Sequence, residues 1–208
     1  MRYPDFYLWM VVLSIMAGPS FGESAYRVIE VEKGGEIAGS VKLLGKFPAP
    51  RKLIVARDQA VCGQSQRAED FIVDPKSKGL KNVVITIQDI AAGKSFAATT
   101  APVISQVHCV YLPHVQVFQP QTKLTIRNND QVLHNIHAYA GEQVLFNIAQ
   151  PSYVKKWPVR LLSTSEVINV QCDMHEWMSA YLIPVEHPYA AVTDESGGFS
   201  MDQAAVSG

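Results

Sequence analysis

Four residues in two separate stretches of the chain have side chains that bind soft metal ions. Cys172, His175 and Met178 lie in the stretch QCDMHEWM with the spacing Cys-x2-His-x2-Met, and His134 lies far upstream in LHNIHAY. One thiolate, two imidazoles and one thioether form the ligand set of a type 1 copper site, and sulfur ligands suit an ion that cycles between Cu(I) and Cu(II). Mg²⁺ and Ca²⁺ are not expected here, because both ions prefer oxygen ligands.

The predicted strands explain how these residues can meet. His134 lies within a predicted strand, so the sheet fixes the direction of its side chain. Cys172 directly follows the predicted strand 167–171, and His175 and Met178 belong to the short loop after it. A short loop has few conformations, so the scaffold rather than the metal would hold these ligands. Because His175 lies in that loop, we expect the edge of its ring to be the ligand group nearest to solvent.

Short stretches with alternating or β-branched residues follow one another along almost the whole chain. Turn sequences separate them, and no amphipathic stretch is long enough to predict a helix of more than one or two turns. Short strands at this spacing predict an all-β fold, either a sandwich or a barrel. The predicted strands cover residues 34–44, 52–56, 71–73, 82–90, 107–112, 115–118, 123–128, 133–139, 144–148, 159–162, 167–171 and 179–185.

The sequence predicts four segments. Residues 1–22 are expected to be a secretory signal peptide, because the apolar run 6–17 is followed by small residues and is shorter than the roughly 20 residues that span a bilayer. Residues 23–98 should form an N-terminal β region, either as extra strands on the main sandwich or as a small separate unit. The metal-binding motifs fall within residues 99–187, and residues 188–208 are expected to form a C-terminal hairpin.

Export predicts a periplasmic or secreted protein that meets an oxidising compartment. The three cysteines are an odd number, so one remains after a single disulfide. If Cys172 binds metal, Cys62 and Cys109 are left to pair with each other. The alternatives are that all three cysteines are reduced or that a different pair forms.

Composition and motifs exclude several classes of function. The net charge is −1, with 18 basic and 19 acidic residues and no basic stripe, so we expect no nucleic-acid partner. No later apolar run is long enough to span a membrane, so no span is expected after signal cleavage. Nucleophile-elbow, HExxH and Walker motifs are absent from the sequence. A copper site with four protein ligands leaves no open position for a substrate, so we expect a carrier rather than an enzyme.

The stretches HNIHAY and CDMHEWM resemble the amicyanin branch of the cupredoxins, which are small periplasmic blue-copper proteins. The resemblance covers about residues 115–186 and includes the spacing of the ligand loop. It implies a cupredoxin-like Greek-key β-sandwich with one type 1 copper. It also implies that Asn135 supports the site by tying the two ligand-bearing segments together. The metal ligands that it implies are His134, Cys172, His175 and Met178.

With the CG at Cys62 and the tail HPYAAVTD, the whole chain resembles a wider group of exported cupredoxin-like proteins, some of them named methylamine-utilisation proteins. In that group the tail continues into a carboxypeptidase-regulatory-like β domain, so residues 188–208 would be the start of such a domain. The ligand loop differs from that of amicyanin, because Met174 and Glu176 replace prolines and Trp177 replaces a smaller aromatic residue.

The resemblance implies an exported carrier of single electrons. Its partners would be periplasmic redox proteins such as a c-type cytochrome or a dehydrogenase, and we expect a monomer. The rival interpretation is a binding module of the cell envelope, or a copper-handling protein, whose metal takes no part in electron traffic.

Three further histidines enter alternative interpretations. A zinc site could use His137 beside the residues named above, but structural zinc sites usually carry more thiolates in CxxC pairs, which this chain lacks. On an ideal strand His137 faces away from His134, and we interpret it as a packing or hydrogen-bonding residue. His108 and His114 flank Cys109 and could form a second, weaker metal site.

Overall fold

The computed structural model describes residues 26–46, 49–97, 101–160 and 165–204. The predicted signal peptide and its cleavage site lie outside these residues. One single-turn helix, α1, spans Gln59–Cys62, and no helix of the described residues is long and apolar enough to cross a membrane. The strands are β1 Arg27–Val28, β2 Gly35–Ser40, β3 Lys52–Ile54, β4 Ser65–Arg67, β5 Val84–Thr86, β6 Ala92–Gly93, β7 Val103–Val107, β8 Val110–Leu112, β9 Val115–Phe118, β10 Lys123–Asn128, β11 His134–Ala140, β12 Gln143–Gln150, β13 Lys156–Arg160, β14 Ile168–Gln171, β15 Ser179–Pro184, β16 Ala190–Val192 and β17 Gly198–Ala204.

Two sheets enclose the main core and form a β-sandwich, one of the two all-β folds that the strand spacing predicted and the one that the family resemblance implied. One sheet has the strand order β12-β11-β14-β15-β9, and the other has the order β13-β10-β7-β8. Alternate residues of a strand point to the same face of a sheet, so apolar residues at every second position of β10, such as Leu124 and Ile126, are fully buried. They belong to one core cluster with Ile136 of β11 and Val170 of β14.

The five-stranded sheet brings the two metal-binding motifs together. β11 pairs antiparallel with β14, so that His137 lies opposite Gln171. β14 pairs antiparallel with β15, with Gln171 opposite Ser179. Residues 172–178 are therefore the connection between two neighbouring strands, and His134 begins the strand beside them.

Strands with clear alternation were predicted correctly, including β9 and β10 with both of their ends. The predicted strand 71–73 is wrong, because the described chain has only an isolated bridge between Val73 and Leu80 there. The predicted strand 107–112 is also wrong. It is two strands, β7 and β8, separated at His108 and Cys109, whose φ angles of 49° and 59° are left-handed and interrupt a strand. Residues 161–162 of another predicted strand lie outside the described residues.

The two strands of the C-terminal segment pair with N-terminal strands. β16 pairs antiparallel with β5, and β17 pairs antiparallel with β2, whereas the sequence suggested that the tail strands would pair with each other. Buried Tyr189 and Met201 form a second, smaller core with neighbours that include Ile85 and Phe199. Strand pairing thus attaches the C-terminal segment to two strands of the N-terminal region.

The segment 52–67 belongs to the main core instead. β3 and β4 pair as a hairpin with α1 between them, and Val55 and Cys62 are buried in the same cluster as the sandwich residues. The Cys62–Cys109 disulfide is present, and Cys172 is a free, buried thiol. The pairing that the cysteine count favoured is therefore confirmed in the structure.

Candidate metal centre

Three buried side chains converge where β14 ends. His134, Cys172 and His175 each offer one ligand atom, and these atoms all lie within 4.8 Å of one another. The two Nδ1 atoms of the histidines are 3.0 Å apart, and the Sγ atom of Cys172 is 3.7 Å from Nδ1 of His175. None of the three residues is more than 3% exposed. The structure thus assembles two imidazoles and one thiol around a common point.

The loop after β14 is closed by its own backbone. The N–H of Met178 donates to the carbonyl of His175 at 2.9 Å, and the N–H of Cys172 donates to the carbonyl of Met178 at 3.4 Å. Met178 is 1% exposed and belongs to the same core cluster as Cys172. The fourth predicted ligand is therefore a buried thioether at the end of the loop that carries the other two.

The outer nitrogens of both histidines contact carboxylates. Nε2 of His134 lies 2.8 Å from Oδ2 of Asp130, and Nε2 of His175 lies 2.9 Å from Oδ2 of Asp58. Because a carboxylate accepts a hydrogen bond, each Nε2 donates its proton to the carboxylate, and each Nδ1 is the ring nitrogen that faces the common point. A carboxylate behind a histidine fixes the orientation of the ring and raises its basicity as a ligand.

The surroundings favour the thiolate form of Cys172. Burial alone would raise the pKa of this thiol, but a hydrogen bond with His134 and backbone hydrogen bonds in the ligand segments bring its pKa below the usual value. Burial also acts to lower the pKa of His134, yet Asp130 and the Cys172 sulfur raise it. The pKa of His175 is lowered, first by burial and then by the nearby positive charge of His134 when protonated, with Asp58 opposing. A thiolate is the form that binds metal.

Asn135 links the two ligand-bearing segments through the residue after Cys172. Its Oδ1 accepts from the N–H of Asp173 at 2.7 Å, and its Nδ2 donates to the carboxylate of Asp173 at 2.8 Å. The same Nδ2 donates to Oδ1 of Asn147 on the neighbouring strand at 2.9 Å. These contacts fix the start of the ligand loop relative to β11.

His137 is held outside the cluster. Its Nδ1 lies 2.9 Å from Oδ1 of Asp173 and 2.6 Å from the hydroxyl of Tyr139, and its ring contacts the Tyr139 ring at 4.2 Å between centroids. None of the groups of potential metal ligands in the described residues includes His137. It is a hydrogen-bonding residue, as its position on the strand suggested.

The edge of the His175 ring, which the sequence suggested would be the ligand group nearest to solvent, is itself covered. His175 is 0% exposed, and Asp58 covers its outer nitrogen with a side chain that is itself 40% exposed. Asp58 comes from the N-terminal region, 117 residues before His175 in the chain. Neighbouring Glu176 is exposed, whereas Met174 and Trp177 are half-buried against the core.

The two carboxylates were missed in the sequence. Asp130 lies four residues before His134. This short spacing could have indicated that its carboxylate contacts the outer nitrogen of the ligand. Asp58 offered no such signal, because its contact with His175 depends on how the N-terminal region packs on the sandwich.

The donor set fits copper. A thiolate-prone cysteine, two imidazoles that present Nδ1 and a nearby thioether are the donors of a type 1 copper site. The carboxylates contact the nitrogens that point away from the common point, where they orient the rings without adding a hard oxygen ligand.

Replacing Asp130 with asparagine is expected to weaken copper binding by roughly 10- to 100-fold, the usual cost of losing a hydrogen bond that orients a ligand. The neutral amide would hold His134 less strongly. It would also be a weaker hydrogen-bond acceptor for the backbone N–H groups of His108 and Cys109, which donate to Asp130. Competition with a chromophoric chelator measures the affinity. Asp70→Asn, which alters an exposed carboxylate paired with Arg51, is the control. Equal affinities for the two variants would contradict the role of Asp130.

His114, one of the two histidines of the possible second metal site, instead contacts a carboxylate and a backbone carbonyl. The Nδ1 atom of His114 lies 3.0 Å from a carboxylate oxygen of Glu69 and 2.9 Å from the carbonyl of Ser179. Within the described ranges, none of the groups of potential metal ligands includes either histidine. His114 is therefore part of a half-buried ion pair that connects the N-terminal region to the sandwich.

This ion pair predicts a pH dependence of stability. Burial alone would lower the pKa of His114, but the hydrogen bond and charge of Glu69 raise it above its ordinary value. A raised pKa in the folded state stabilises the protein fully below the unfolded value of about 6.5, and this contribution is lost as the pH rises through the folded value. Glu69→Gln should therefore lower the free energy of unfolding near pH 6 by on the order of 1 kcal/mol and by less near pH 9. Urea unfolding at both pH values measures the difference, and an equal loss at both would contradict this account.

Comparison with solved structures finds copper proteins at low sequence identity. Amicyanin from Paracoccus versutus is 12% identical, with 50% of this chain and 100% of that chain covered and a TM-score of 0.37. A purple cupredoxin from Nitrosopumilus maritimus is 20% identical, with 40% and 99% covered and a TM-score of 0.35. A Cu-containing nitrite reductase from Thermus scotoductus SA-01 is 11% identical, with 50% and 25% covered and a TM-score of 0.35.

Comparisons of the sequence alone find no match, either among protein-family models or among curated proteins. The all-β sandwich rests on the two sheets of this chain. At these identities and TM-scores, the solved structures carry no argument about the activity of this chain.

Proposed function

We propose that this chain is an exported copper protein that carries single electrons between redox partners. The observation that best supports the proposal is the buried convergence of His134, Cys172 and His175 on one point. Together with Met178 they would hold one type 1 copper. When bound, copper supplies one-electron chemistry by cycling between Cu(I) and Cu(II).

The residues around the ligands keep the site rigid. Asp130 and Asp58 hold the two imidazole rings, and Asn135 holds the start of the ligand loop. Ligands held by such contacts need to move little when the charge of the site changes, which favours electron transfer. Four protein ligands leave no open position for a substrate, so the proposed protein is a carrier and not an enzyme.

The proposed setting is the periplasm or the extracellular space. The Cys62–Cys109 disulfide supports export, because disulfides persist in oxidising compartments. The proposed partners are a c-type cytochrome and a periplasmic dehydrogenase, and the proposed state is a monomer. Neither a nucleic acid nor a membrane takes part in this proposal.

A second candidate function is copper handling without electron traffic. The burial of His175 beneath Asp58 favours it, because the ligand edge through which a partner could exchange electrons directly is covered. The two candidates differ in the rate of electron exchange rather than in the ligand set.

Stopped-flow mixing of the copper-loaded protein with a reduced c-type cytochrome separates the two candidates. The electron-carrier proposal expects one electron to pass per copper within seconds, with cytochrome oxidation matched by loss of the Cu(II) signal. A copper-loaded protein that exchanges no electron over many minutes would reject the carrier and leave copper handling. Apoprotein mixed with the same cytochrome is the control.

Replacing Met178 with glutamine should lower the reduction potential of the bound copper. An oxygen donor is harder than a thioether and stabilises Cu(II) relative to Cu(I). Spectroelectrochemical titration measures the potential of both proteins. Met201→Gln, at a methionine in the second core, is the matched control and should leave the potential unchanged. A higher or unchanged potential in the Met178 variant would argue against its role as an axial ligand.

A further inference from the structure

We propose that residues 57–62 form a cap that holds His175 in place and closes the site to the exchange of metal with solvent. The cap consists of Arg57, Asp58 and the single-turn helix α1, and the Cys62–Cys109 disulfide anchors it. Its role in metal exchange rests on the proposed copper function, whereas its role as a cover for His175 and Cys172 does not.

Asp58 has a contact that its position in the chain does not explain. It is the N-cap residue of α1, where an aspartate side chain normally accepts a hydrogen bond from an N–H of its own helix. Asp58 makes no such side-chain bond, and its carboxylate contacts Nε2 of His175 at 2.9 Å instead. Its backbone is left-handed, with φ 52° and ψ 31°, a conformation that carries a cost for residues other than glycine. The Asp58 side chain therefore contacts the proposed ligand His175 instead of capping its own helix.

The segment before the cap is fixed in the main core. Val55 is 0% exposed and belongs to the core cluster of the sandwich. Its N–H donates to the carbonyl of Gln64, and its carbonyl accepts from Nε2 of Gln59 at 2.8 Å. The cap is therefore a braced turn between β3 and β4 rather than a loose loop.

The disulfide attaches the cap to both ligand-bearing segments. Cys62 ends α1, and its partner Cys109 donates its backbone N–H to Asp130, the carboxylate behind His134. The carbonyl of Cys109 accepts from Nε1 of Trp177, a residue of the ligand loop, at 3.0 Å. The sulfurs of both cysteines lie within 4.8 Å of a ring nitrogen of His175.

Seen from the cap, Cys172 lies behind the ring of His175. Asp58 contacts the outer nitrogen of His175, and Nδ1 on the same ring is 3.7 Å from the Cys172 sulfur. A reagent or a chelator that approaches from the side of His175 must first displace Asp58. Loosening the cap should therefore speed both the alkylation of Cys172 in the metal-free protein and the removal of bound copper.

The test measures alkylation of Cys172 by iodoacetamide in the metal-free protein, with the modified peptide quantified by mass spectrometry. Asp58→Ala should raise the rate roughly tenfold or more, because a hydrogen bond to a charged group is lost. Asp58→Asn, which retains an acceptor of the same size, should raise it less. The double variant Cys62→Ala with Cys109→Ala should also raise it. Asp70→Ala removes an exposed carboxylate of the same N-terminal region and should match the wild type.

The same variants are then loaded with Cu(I) and mixed with a chromophoric chelator. Faster alkylation and faster copper loss in Asp58→Ala, with an unchanged thermal melting temperature, support the cap. Rates equal to those of the wild type in Asp58→Ala and Asp58→Asn overturn it. If Asp58→Ala does not fold, the comparison of Asp58→Asn with the wild type decides in the same way. If the chain binds no copper but the variants still differ in alkylation rate, the proposed function is rejected, whereas the role of residues 57–62 as a cover for Cys172 stands.

Discussion

Replacing Cys172 with serine is expected to abolish the intense visible absorption of the copper-loaded protein. The thiolate is the only strong charge-transfer donor among the proposed ligands, and a serine hydroxyl is a hard, neutral donor that does not replace it. Serine is close to cysteine in size, so the buried position should tolerate it with the fold intact. Visible absorption and far-ultraviolet circular dichroism measure the two properties.

The matched control for this variant is His137→Gln. His137 is a histidine of the same strand as His134 but lies outside the ligand cluster, in contact with Asp173 and Tyr139. The control should keep the visible band, whereas the serine variant loses it. A serine variant with the wild-type spectrum would show that Cys172 is not a copper ligand.

Removing the disulfide is expected to have the largest effect on stability. The bond closes a loop of 47 residues, and the chain-entropy estimate for such a loop is about 4 kcal/mol of stabilisation. Cys62→Ala with Cys109→Ala should lower the free energy of unfolding by roughly this amount, and both cysteines are buried in the main core. Guanidinium unfolding monitored by circular dichroism measures the loss.

Cys172→Ser serves as the control for the disulfide experiment, because it removes a cysteine without opening a bridge. It should unfold at nearly the denaturant concentration of the wild type. Non-reducing peptide mapping of the wild type should recover Cys62 joined to Cys109. Equal unfolding midpoints for the wild type and the double alanine variant would mean that the bridge does not stabilise the folded protein.

The part of the site that is local in sequence could be predicted. Cys172, His175 and Met178 lie in one connection between two adjacent strands, so their spacing alone placed them together. His134 could be added because β11 has a clear alternating pattern and pairs with β14. The strands with regular alternation, such as β9 and β10, were predictable for the same reason.

The part of the site that depends on distant packing could not be predicted. Asp58 reaches His175 only because β3, β4 and α1 pack on the sandwich, and periodicity in the sequence carries no information about such a contact. The cover over His175 could not be foreseen for this reason. The pairing of the tail with β5 and β2 is equally non-local. The break between β7 and β8 depends on left-handed backbone at His108 and Cys109. The sequence does not indicate this conformation, because neither residue is a glycine.

The covered ligand changes how electrons would have to enter the proposed copper site. A partner that docks over His175 meets the cap residues Arg57 and Asp58 before it reaches the ring. The exposed carboxylate of Glu176 remains beside this surface. A partner with a positively charged surface would complement the carboxylates, and its association rate should fall as the salt concentration rises.

The central claim is that His134, Cys172 and His175 hold a copper ion through a thiolate and two imidazoles. The most direct measurement is the visible absorption spectrum of the purified wild-type chain titrated with Cu(II), with copper and protein quantified in the same sample. The account predicts an intense thiolate-to-copper band that saturates at one copper per chain. A chain that takes up no copper, or that binds copper without this band, would contradict it.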